Sequence, residues 1–339
     1  MAYLDDAVGR SNLTIKTGVL VSRVVIEGGR ATGVQAKADG RDVTWDAKRE
    51  VILCGGAFNS PQLLELSGVG RREVLSQAGV PLVHELPMVG ENLSEHVYSP
   101  LMYEAKREVS WNRDLSSPLG QAKLGMRWLT RRDGPLSTVT ITAQAFAAMQ
   151  AGSTDADLKI QIQQVSSPGN RGAGKIELDK FNGVTIASFQ IRPRSRGHSH
   201  ISSRDPTADP VMVSNHFTHP DDLSACLKAL KLSRKVAETG PLSKLVIREV
   251  RPGPEKASDE ALVDYLRATG ATAYHPVGTC RIGIDASHSV VDPELRVHGI
   301  RGLRVADGSV MPTIASTNTN AICIAIGERA ADFILSSQS

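Results

Sequence analysis

Two segments far apart in the chain share one pattern, a buried strand followed by a glycine turn and an apolar helix. The first reads REVILCGGAFNSPQLLEL over residues 49–66, and the second reads LRVADG over 303–308, with an apolar helix following from about Thr319 to Leu335. The strand VILC is apolar on both faces, which is typical of a buried strand in a parallel sheet. We therefore expect both chain ends to share one α/β domain.

The turn in the first segment leads into a predicted helix. Ser60 suits the N-cap, Pro61 the first helical position and Gly68 the C-terminal stop. A strand-to-helix turn of this kind can hold a phosphate or a cofactor at the helix N-terminus. It is also an ordinary strand-to-helix connection, so both interpretations stay open.

The rest of the sequence predicts an N-terminal meander and a middle domain. Residues 12–56 contain the turn dipeptides Gly28-Gly29 and Asp39-Gly40 between β-branched runs, which predicts an antiparallel meander. From 99 to 271, helical patterns alternate with strands such as DLKIQIQQV. The predicted fold class is α/β plus α+β, with one domain at 1–98 and 272–339 and an inserted α+β domain at 99–271.

Charge and cysteine usage limit the function classes. The net charge of +3 comes without a dense basic block, so we expect small-molecule partners and no nucleic acid. The N-terminus lacks signal-peptide features and no apolar run reaches membrane-spanning length, which favours a cytoplasmic protein. Reduced, buried thiols are expected of the four scattered cysteines, Cys54, Cys226, Cys280 and Cys323.

Three partial motifs argue against nucleotide or metal chemistry. GNRGAGKI at 169–176 has P-loop spacing, but Ile176 replaces the magnesium-binding Ser/Thr, so a glycine-rich surface loop is predicted. GVGRRE at 68–73 follows a helix and lacks the third glycine of a dinucleotide fingerprint. His198 and His200 would face the same side of a strand, but no third ligand is evident, so an exposed strand edge without metal is predicted.

The segment TAYHPVGTCRIG at 272–283 supplies the best catalytic candidate. Proline disfavours helix for the residue before it, so His275 should lie on an extended segment or bend with its imidazole free to enter a cleft. A lone loop histidine is more often structural than catalytic. Here Asp307-Gly308 ends a strand, and Asn318-Thr319-Asn320 opens a helix whose dipole would face the same cleft.

Long, correctly spaced stretches of the chain resemble one known family. They are NLTIKTGVLVSRV, EGGRATGV, REVILCGGAFNSPQLLELSGVG, LPMVGENLSEH, QIRPRSRGHSHISSRDP, AYHPVGTCRIG, VVDPELRVHGIRGLRVADGSVMP and NTNAICIAIGERAADFI. Through them the chain is identified as a member of the glucose-methanol-choline (GMC) oxidoreductases, closest to the choline and alcohol dehydrogenase branch. The resemblance implies a partial FAD-binding Rossmann-like domain formed by both chain ends, and an inserted α+β substrate domain with an antiparallel sheet flanked by helices.

The resemblance also implies a catalytic pair. His275 matches the family's histidine and would accept the hydroxyl proton of a small alcohol while hydride passes to flavin N5. Asn318 falls at the second position and would orient the alkoxide. Oxygen or a quinone-type molecule would then accept the electrons. With 4% aromatic residues, the composition weakly disfavours choline as the substrate.

Five further residues match FAD-contacting positions of the family. By this resemblance, the helix that begins near Thr319 would point its amides at flavin N1 and the C2 carbonyl, and Asn320 would contact the pyrimidine edge. Asp307 would lie near the ribityl and pyrophosphate groups, Gly308 would permit close approach, and the Val21 backbone would meet the adenine. Each also has a structural alternative: Val21 is an ordinary core strand residue, for example, and Asp307 a turn cap.

The resemblance has one large gap and leaves two hypotheses open. The family's first strand, GxGxxG turn and helix are missing, so the chain resembles a relative from a point roughly 200 residues in. It is then either an FAD-dependent alcohol dehydrogenase or oxidase that needs a complementary N-terminal half, or an inactive fragment that binds small alcohols or a partner chain. In GENLSEH, Asn92 and His96 are expected only to hold a loop together, and Glu95 in place of aspartate should matter little.

Overall fold

The computed structural model describes residues 3–149, 153–168 and 177–337, so the segment GNRGAGKI at 169–176 lies outside the described residues. The helices are α1 Gly56–Leu66, α2 Arg72–Ala78, α3 Asn112–Ser116, α4 Pro118–Arg131, α5 Pro220–Ala237, α6 Asp259–Thr269 and α7 Asn320–Ser336. The strands are β1 Val19–Glu27, β2 Arg30–Ala38, β3 Arg41–Asp46, β4 Val51–Leu53, β5 Val69–Gly70, β6 His84–Glu85, β7 Glu91–Leu93, β8 Val97–Ala105, β9 Ile141–Ala147, β10 Leu158–Gln163, β11 Gly183–Gln190, β12 Gly197–His200, β13 Val211–Val213, β14 Val246–Arg251, β15 Ala271–Thr272 and β16 Leu303–Val305.

The N-terminal strands form the predicted meander. β1, β2 and β3 pair antiparallel in sequence order. The first turn uses Gly28 and Gly29 at φ +55° and +72°, a backbone region that residues with a Cβ rarely adopt. Asp39 and Gly40 make the second turn with φ of +50° and +75°. The hairpin prediction at both dipeptides is confirmed.

The two chain ends meet in a parallel strand pair. β16 pairs with β4, with Leu303 opposite Val51 and Val305 opposite Leu53. The parallel pairing is as expected, but the expectation of burial on both faces is wrong because Ile52 is 39% exposed. Among the described residues this sheet has two strands, and the face of β4 that carries Ile52 is left uncovered.

Burial of the cysteines also differs from the expectation. Cys226 and Cys280 are buried, whereas Cys54 is exposed and Cys323 is only half-buried. Cys54 directly follows β4, so it shares the uncovered side of that short sheet.

Helix α1 begins at Gly56, five residues before the predicted first helical position at Pro61. The Ser60 hydroxyl does not cap the helix: it accepts the Gly55 N–H at 2.9 Å and donates to the Asp307 carboxylate at 2.5 Å. The same carboxylate accepts the Gly56 N–H at 2.9 Å. The helix therefore starts where Asp307, at the far end of the chain, supplies the missing acceptor.

Pro61 consequently lies inside α1 rather than at its first position. A proline has no N–H to give to the carbonyl four residues earlier, which is that of Ala57. Thr279 replaces the lost donor, because its buried hydroxyl donates to the Ala57 carbonyl at 2.6 Å. This contact ties α1 to the loop that follows His275.

The middle of the chain folds around a six-stranded antiparallel sheet. Its order is β14-β8-β11-β10-β9, and β15 also pairs with β8. Helices α5 and α6 pack on β8 and β11 over a core that includes Leu101, Ile186, Leu230, Leu262 and Leu266. The predicted helices here are confirmed, with Ser258 capping α6 through the Ala261 N–H.

A separate core joins the chain ends and includes Leu53, Leu64, Val291, Leu303 and Val305. The predicted mixed α/β class is thus confirmed, with sheets flanked by helices. β12, from the predicted inserted domain, pairs with β7 of the other part in the sheet β13-β12-β7. The exact bounds at 98 and 272 stay a prediction.

Helix α7 is apolar but poorly covered. Ile322, Ile324 and Leu335 are 36%, 43% and 67% exposed, and Ala330 is the α7 residue that is fully buried. A helix that is apolar on most sides normally lies within a core. Within the described ranges, no helix has the length and hydropathy that crossing a bilayer would require.

Candidate active site

The loop that carries His275 is held by the segment around Glu95. His275 lies outside helix and strand, as predicted, and is half-buried. The Glu95 carboxylate accepts its backbone N–H at 3.0 Å and also the Thr272 hydroxyl. Ser94 and Val277 exchange two backbone hydrogen bonds of 3.0 Å. The structure thus gives Glu95 a positioning contact to the loop that carries His275.

A continuous chain of hydrogen bonds runs through the site. The Ile191 carbonyl lies 3.2 Å from His96 Nε2, and His96 Nδ1 lies 3.1 Å from His275 Nδ1. On the other side of the ring, His275 Nε2 lies 3.0 Å from Asn318 Nδ2. The Lys159 ammonium then donates to Asn318 Oδ1 at 2.7 Å.

The groups at the two ends of this series of hydrogen bonds determine which nitrogen atoms between them carry the protons. A backbone carbonyl only accepts, so His96 Nε2 carries a hydrogen and its Nδ1 accepts from His275 Nδ1–H. An ammonium only donates, so Asn318 presents its oxygen to Lys159 and its N–H to His275. Both ends give the same assignment. The lone pair of His275 therefore lies on Nε2, where it accepts the Asn318 N–H.

Both imidazoles are held neutral. Burial lowers the pKa of His96 to about 4. Burial also lowers the pKa of His275, and the positive charge of Lys159 lowers it further. Neutral imidazole is the form that accepts a proton, so His275 has the protonation state of a general base at neutral pH.

His275 and Asn318 line a cavity of about 770 Å³ beneath the six-stranded sheet. Its other walls are apolar, aromatic or neutral polar and include Tyr98, Phe189, Gln161, Thr185 and Tyr274. Among the described residues that line it, none is an aspartate or a glutamate. The volume suits a small organic molecule that contacts His275 and Asn318.

The structure places four of the five predicted cofactor residues near one another. Thr319 is the N-cap residue of α7, and its side chain makes no capping hydrogen bond. The exposed Asn320 is the first residue of the helix. The amides of α7 therefore begin directly after Asn318, without a side-chain cap. A helix N-terminus left open in this way favours an anionic group, which fits a reduced flavin.

Asp307 and Gly308 lie at the end of β16. The Asp307 carboxylate accepts from Gly56, Ser60 and the Ser309 N–H, which is the turn-capping role that had been the alternative. A Cβ on Gly308 would lie 3.3 Å from the Cys323 sulfur, so this glycine lets the turn approach α7 closely. Val21 is placed elsewhere, half-buried on the edge strand β1.

The predicted exposed edge at His198 and His200 is wrong. Their rings face the same side and stack at 5.1 Å, as expected, but β12 is a central strand and His200 pairs with Glu65 at 2.7 Å and Glu91 at 3.3 Å. Burial lowers the pKa of His200, but the two carboxylates outweigh it and raise it to about 9. No metal-binding group of three His, Cys, Asp or Glu occurs in the described part of the chain.

Sequence reasoning missed two residues of the site. His96 had been interpreted only as a loop residue, because nothing in the sequence shows that it meets a residue 179 positions away. Lys159 gave a weak signal, since Lys159, Gln161 and Gln163 alternate along β10 and place a polar stripe on one face of the strand.

Comparison with known proteins agrees with this fold. GMC oxidoreductase family models match residues 1–98 and 193–327. Oxygen-dependent choline dehydrogenase of Escherichia coli strain K12 is 38% identical over 98% of this chain and 59% of its own length. A formate oxidase R554A variant from Aspergillus oryzae RIB40 superimposes with a TM-score of 0.90 at 25% identity, covering 98% of this chain and 62% of that one. Pyridoxine 4-oxidase from Mesorbium loti gives a TM-score of 0.82 at 25% identity over 96% and 59%.

The chain belongs to the GMC oxidoreductase family, a class of oxidoreductases for which FAD is the implied cofactor. It spans 59% of the length of the choline dehydrogenases that it matches.

Proposed function

We propose that this chain carries the catalytic half of an FAD-dependent enzyme that oxidises an alcohol CH–OH group to a carbonyl. The observation that carries the proposal is the polarised hydrogen-bond chain, which leaves a neutral His275 Nε2 lone pair next to the Asn318 amide. Family membership supports the reaction class, and the cavity supports a small alcohol as the substrate.

In the proposed reaction the substrate hydroxyl inserts between His275 and Asn318. It donates its hydrogen to His275 Nε2 and accepts from Asn318 Nδ2–H. Proton transfer to His275 leaves an alkoxide that the Asn318 amide stabilises. His96 keeps its hydrogen bond to His275 Nδ1–H throughout, so the imidazole does not rotate.

The bound FAD would supply the acceptor for the hydride that leaves the carbinol carbon. Thr319 and Asn320 would hold the flavin ring through the open N-terminus of α7. Asp307, Gly308 and Val21 would approach the rest of the cofactor, as the family resemblance implies. Oxygen or a quinone-type molecule would reoxidise the flavin.

A second proposal concerns a partner chain. The exposed apolar residues of α7 and the two-stranded β4–β16 sheet support the docking of a complementary polypeptide, equivalent to the part of the relatives that this chain does not span. On its own, the chain would then bind small alcohols but not oxidise them.

The test uses flavin absorbance. The chain is incubated with FAD, alone and with the complementary N-terminal part of a close relative, and a primary alcohol is added without oxygen. Bleaching of bound flavin in the wild type and in the exposed control His288→Ala, but not in His275→Ala, is the expected result. If the flavin bound to His275→Ala still bleaches, the proposed role of His275 is wrong. If neither mixture binds flavin, only the binding of small alcohols or of a partner chain is left as a function.

A further inference from the structure

A buried lysine lies directly behind the catalytic pair. Lys159, on β10, is 3% exposed, and its ammonium donates to Asn318 Oδ1 at 2.7 Å. The ammonium also lies 5.4 Å from the centre of the Phe189 ring, on the neighbouring strand β11. Lys159 shares its face of the strand with Gln161, which lines the cavity.

The positive charge of Lys159 has no negative partner among the described residues. Its neighbours are the Asn318 amide, the Phe189 ring and two neutral imidazoles. No salt bridge in the described part of the chain includes it, and burial lowers its pKa without a carboxylate to offset the effect. A buried charge without a counter-charge is costly, so a ligand that supplies one gains affinity from it.

The same arrangement disfavours a cationic ligand. Recognition of a quaternary ammonium needs aromatic faces and a carboxylate. The described cavity lining has no carboxylate, and Lys159 already lies against the Phe189 ring. A substrate cation next to the catalytic pair would also be repelled by the ammonium.

We propose that the charge of Lys159 makes this site select short hydroxy acids over neutral alcohols, and reject alcohols that carry a quaternary ammonium. The inference rests on the proposed alcohol oxidation at the same site. One amide group, that of Asn318, separates the ammonium from His275 Nε2. Lys159 is not among the residues that line the cavity, so its charge acts across the Asn318 amide on a carboxylate bound beside His275.

Three probes of different charge test the proposal: 3-hydroxypropanoate, 3,3-dimethylbutan-1-ol, which is the uncharged isostere of choline, and choline itself. Binding is measured by calorimetry on the full chain, and kcat/KM on the FAD-loaded protein with its complementary part. The expected order in both is anion, then neutral alcohol, then choline, with steps of about tenfold.

Variants then test whether Lys159 causes this order of affinities. Lys159→Met should bring the three probes to within about threefold of one another, Lys159→Arg should keep the order, and Lys123→Met, on the exposed surface of α4, should match the wild type. Choline bound as well as its isostere by the wild type, or an order unchanged in Lys159→Met, would overturn the inference. Charge-ordered binding without turnover of any probe would instead contradict the proposed oxidation.

Discussion

At the scale of single residues, the site depends on one orientation of the His275 ring. That orientation needs an acceptor opposite Nδ1–H, and the structure assigns this acceptor to His96. His96 is 2% exposed and anchored at the Ile191 carbonyl, so it is a positioning residue with little freedom of its own.

Removing the His96 acceptor should slow turnover without abolishing substrate binding. In His96→Phe, we expect kcat to fall by about 10²-fold while KM changes little, because His275 can then take the other tautomer. His96→Gln, which can still present an acceptor, should recover part of the loss. Steady-state kinetics measures the split between kcat and KM. A fall confined to KM would show that His96 acts on binding instead.

The pH dependence of activity follows from the lowered pKa of His275. The neutral base is required, so kcat/KM should stay level from neutral pH to below about 6.5, the ordinary value for imidazole, and fall at lower pH. Because Lys159 contributes to the lowering, Lys159→Met should move the acid limb to higher pH. A pH–rate profile of both proteins checks the direction; a limb that moves to lower pH would contradict it.

At the scale of elements, α1 connects the catalytic loop to the parallel strand pair. At its N-terminus, the Gly56 N–H donates to the Asp307 carboxylate, which follows β16. Thr279 of the loop donates to the Ala57 carbonyl, which Pro61 leaves without a donor. Both bonds join residues more than 220 positions apart in sequence. Sequence patterns predicted that a helix follows β4, but they placed its N-cap at Ser60. The acceptor and donor that define the true start lie at the other end of the chain.

Thr279 should matter for stability because of the carbonyl that it satisfies. Thr279→Val leaves the Ala57 oxygen without a donor, and we expect a loss of about 1–3 kcal/mol in the free energy of unfolding. Thr279→Ser should retain most of the stability. Urea unfolding followed by circular dichroism compares the three proteins, and equal midpoints for Val and Ser would contradict the role of the hydroxyl.

The His200 cluster should make stability depend on pH. Its folded pKa of about 9 lies above the ordinary value of 6.5, so the stabilisation is complete below about pH 6.5 and is lost as pH rises through 9. The loss should be on the order of 2–3 kcal/mol between pH 6 and 10. Guanidinium unfolding of wild type and His200→Gln measures it. A wild type whose extra stability over His200→Gln persists at pH 10 would contradict the ion pairing.

At the scale of the whole molecule, the sequence predicted the mixed fold class and the meeting of the two chain ends. Those features follow from local patterns and from the family resemblance. It could not predict which polar groups meet across the cavity, because His96, Lys159, His275 and Asn318 come from four separated segments. It also could not show how much of α7 and β4 stays uncovered, since burial depends on what packs against them.

The exposed apolar residues of α7 give a prediction at this scale. Ile324→Glu should change the unfolding free energy by no more than about 0.5 kcal/mol, because the side chain is 43% exposed. It should weaken association with the complementary N-terminal part by tenfold or more, since a charge would then be buried there. Analytical ultracentrifugation measures the association, and Lys123→Glu on α4 is the control. Unchanged association in Ile324→Glu would exclude α7 from the interface.

The polarity of the hydrogen-bond chain also decides where a proton can go. Burial lowers the pKa of His96 to about 4, and its Nε2–H already donates to the Ile191 carbonyl. In the proposed reaction, the proton that His275 takes from the substrate therefore does not pass on through His96. We expect that proton to leave through the cavity with the carbonyl product, so a ligand that fills the cavity would stop product escape and proton release together.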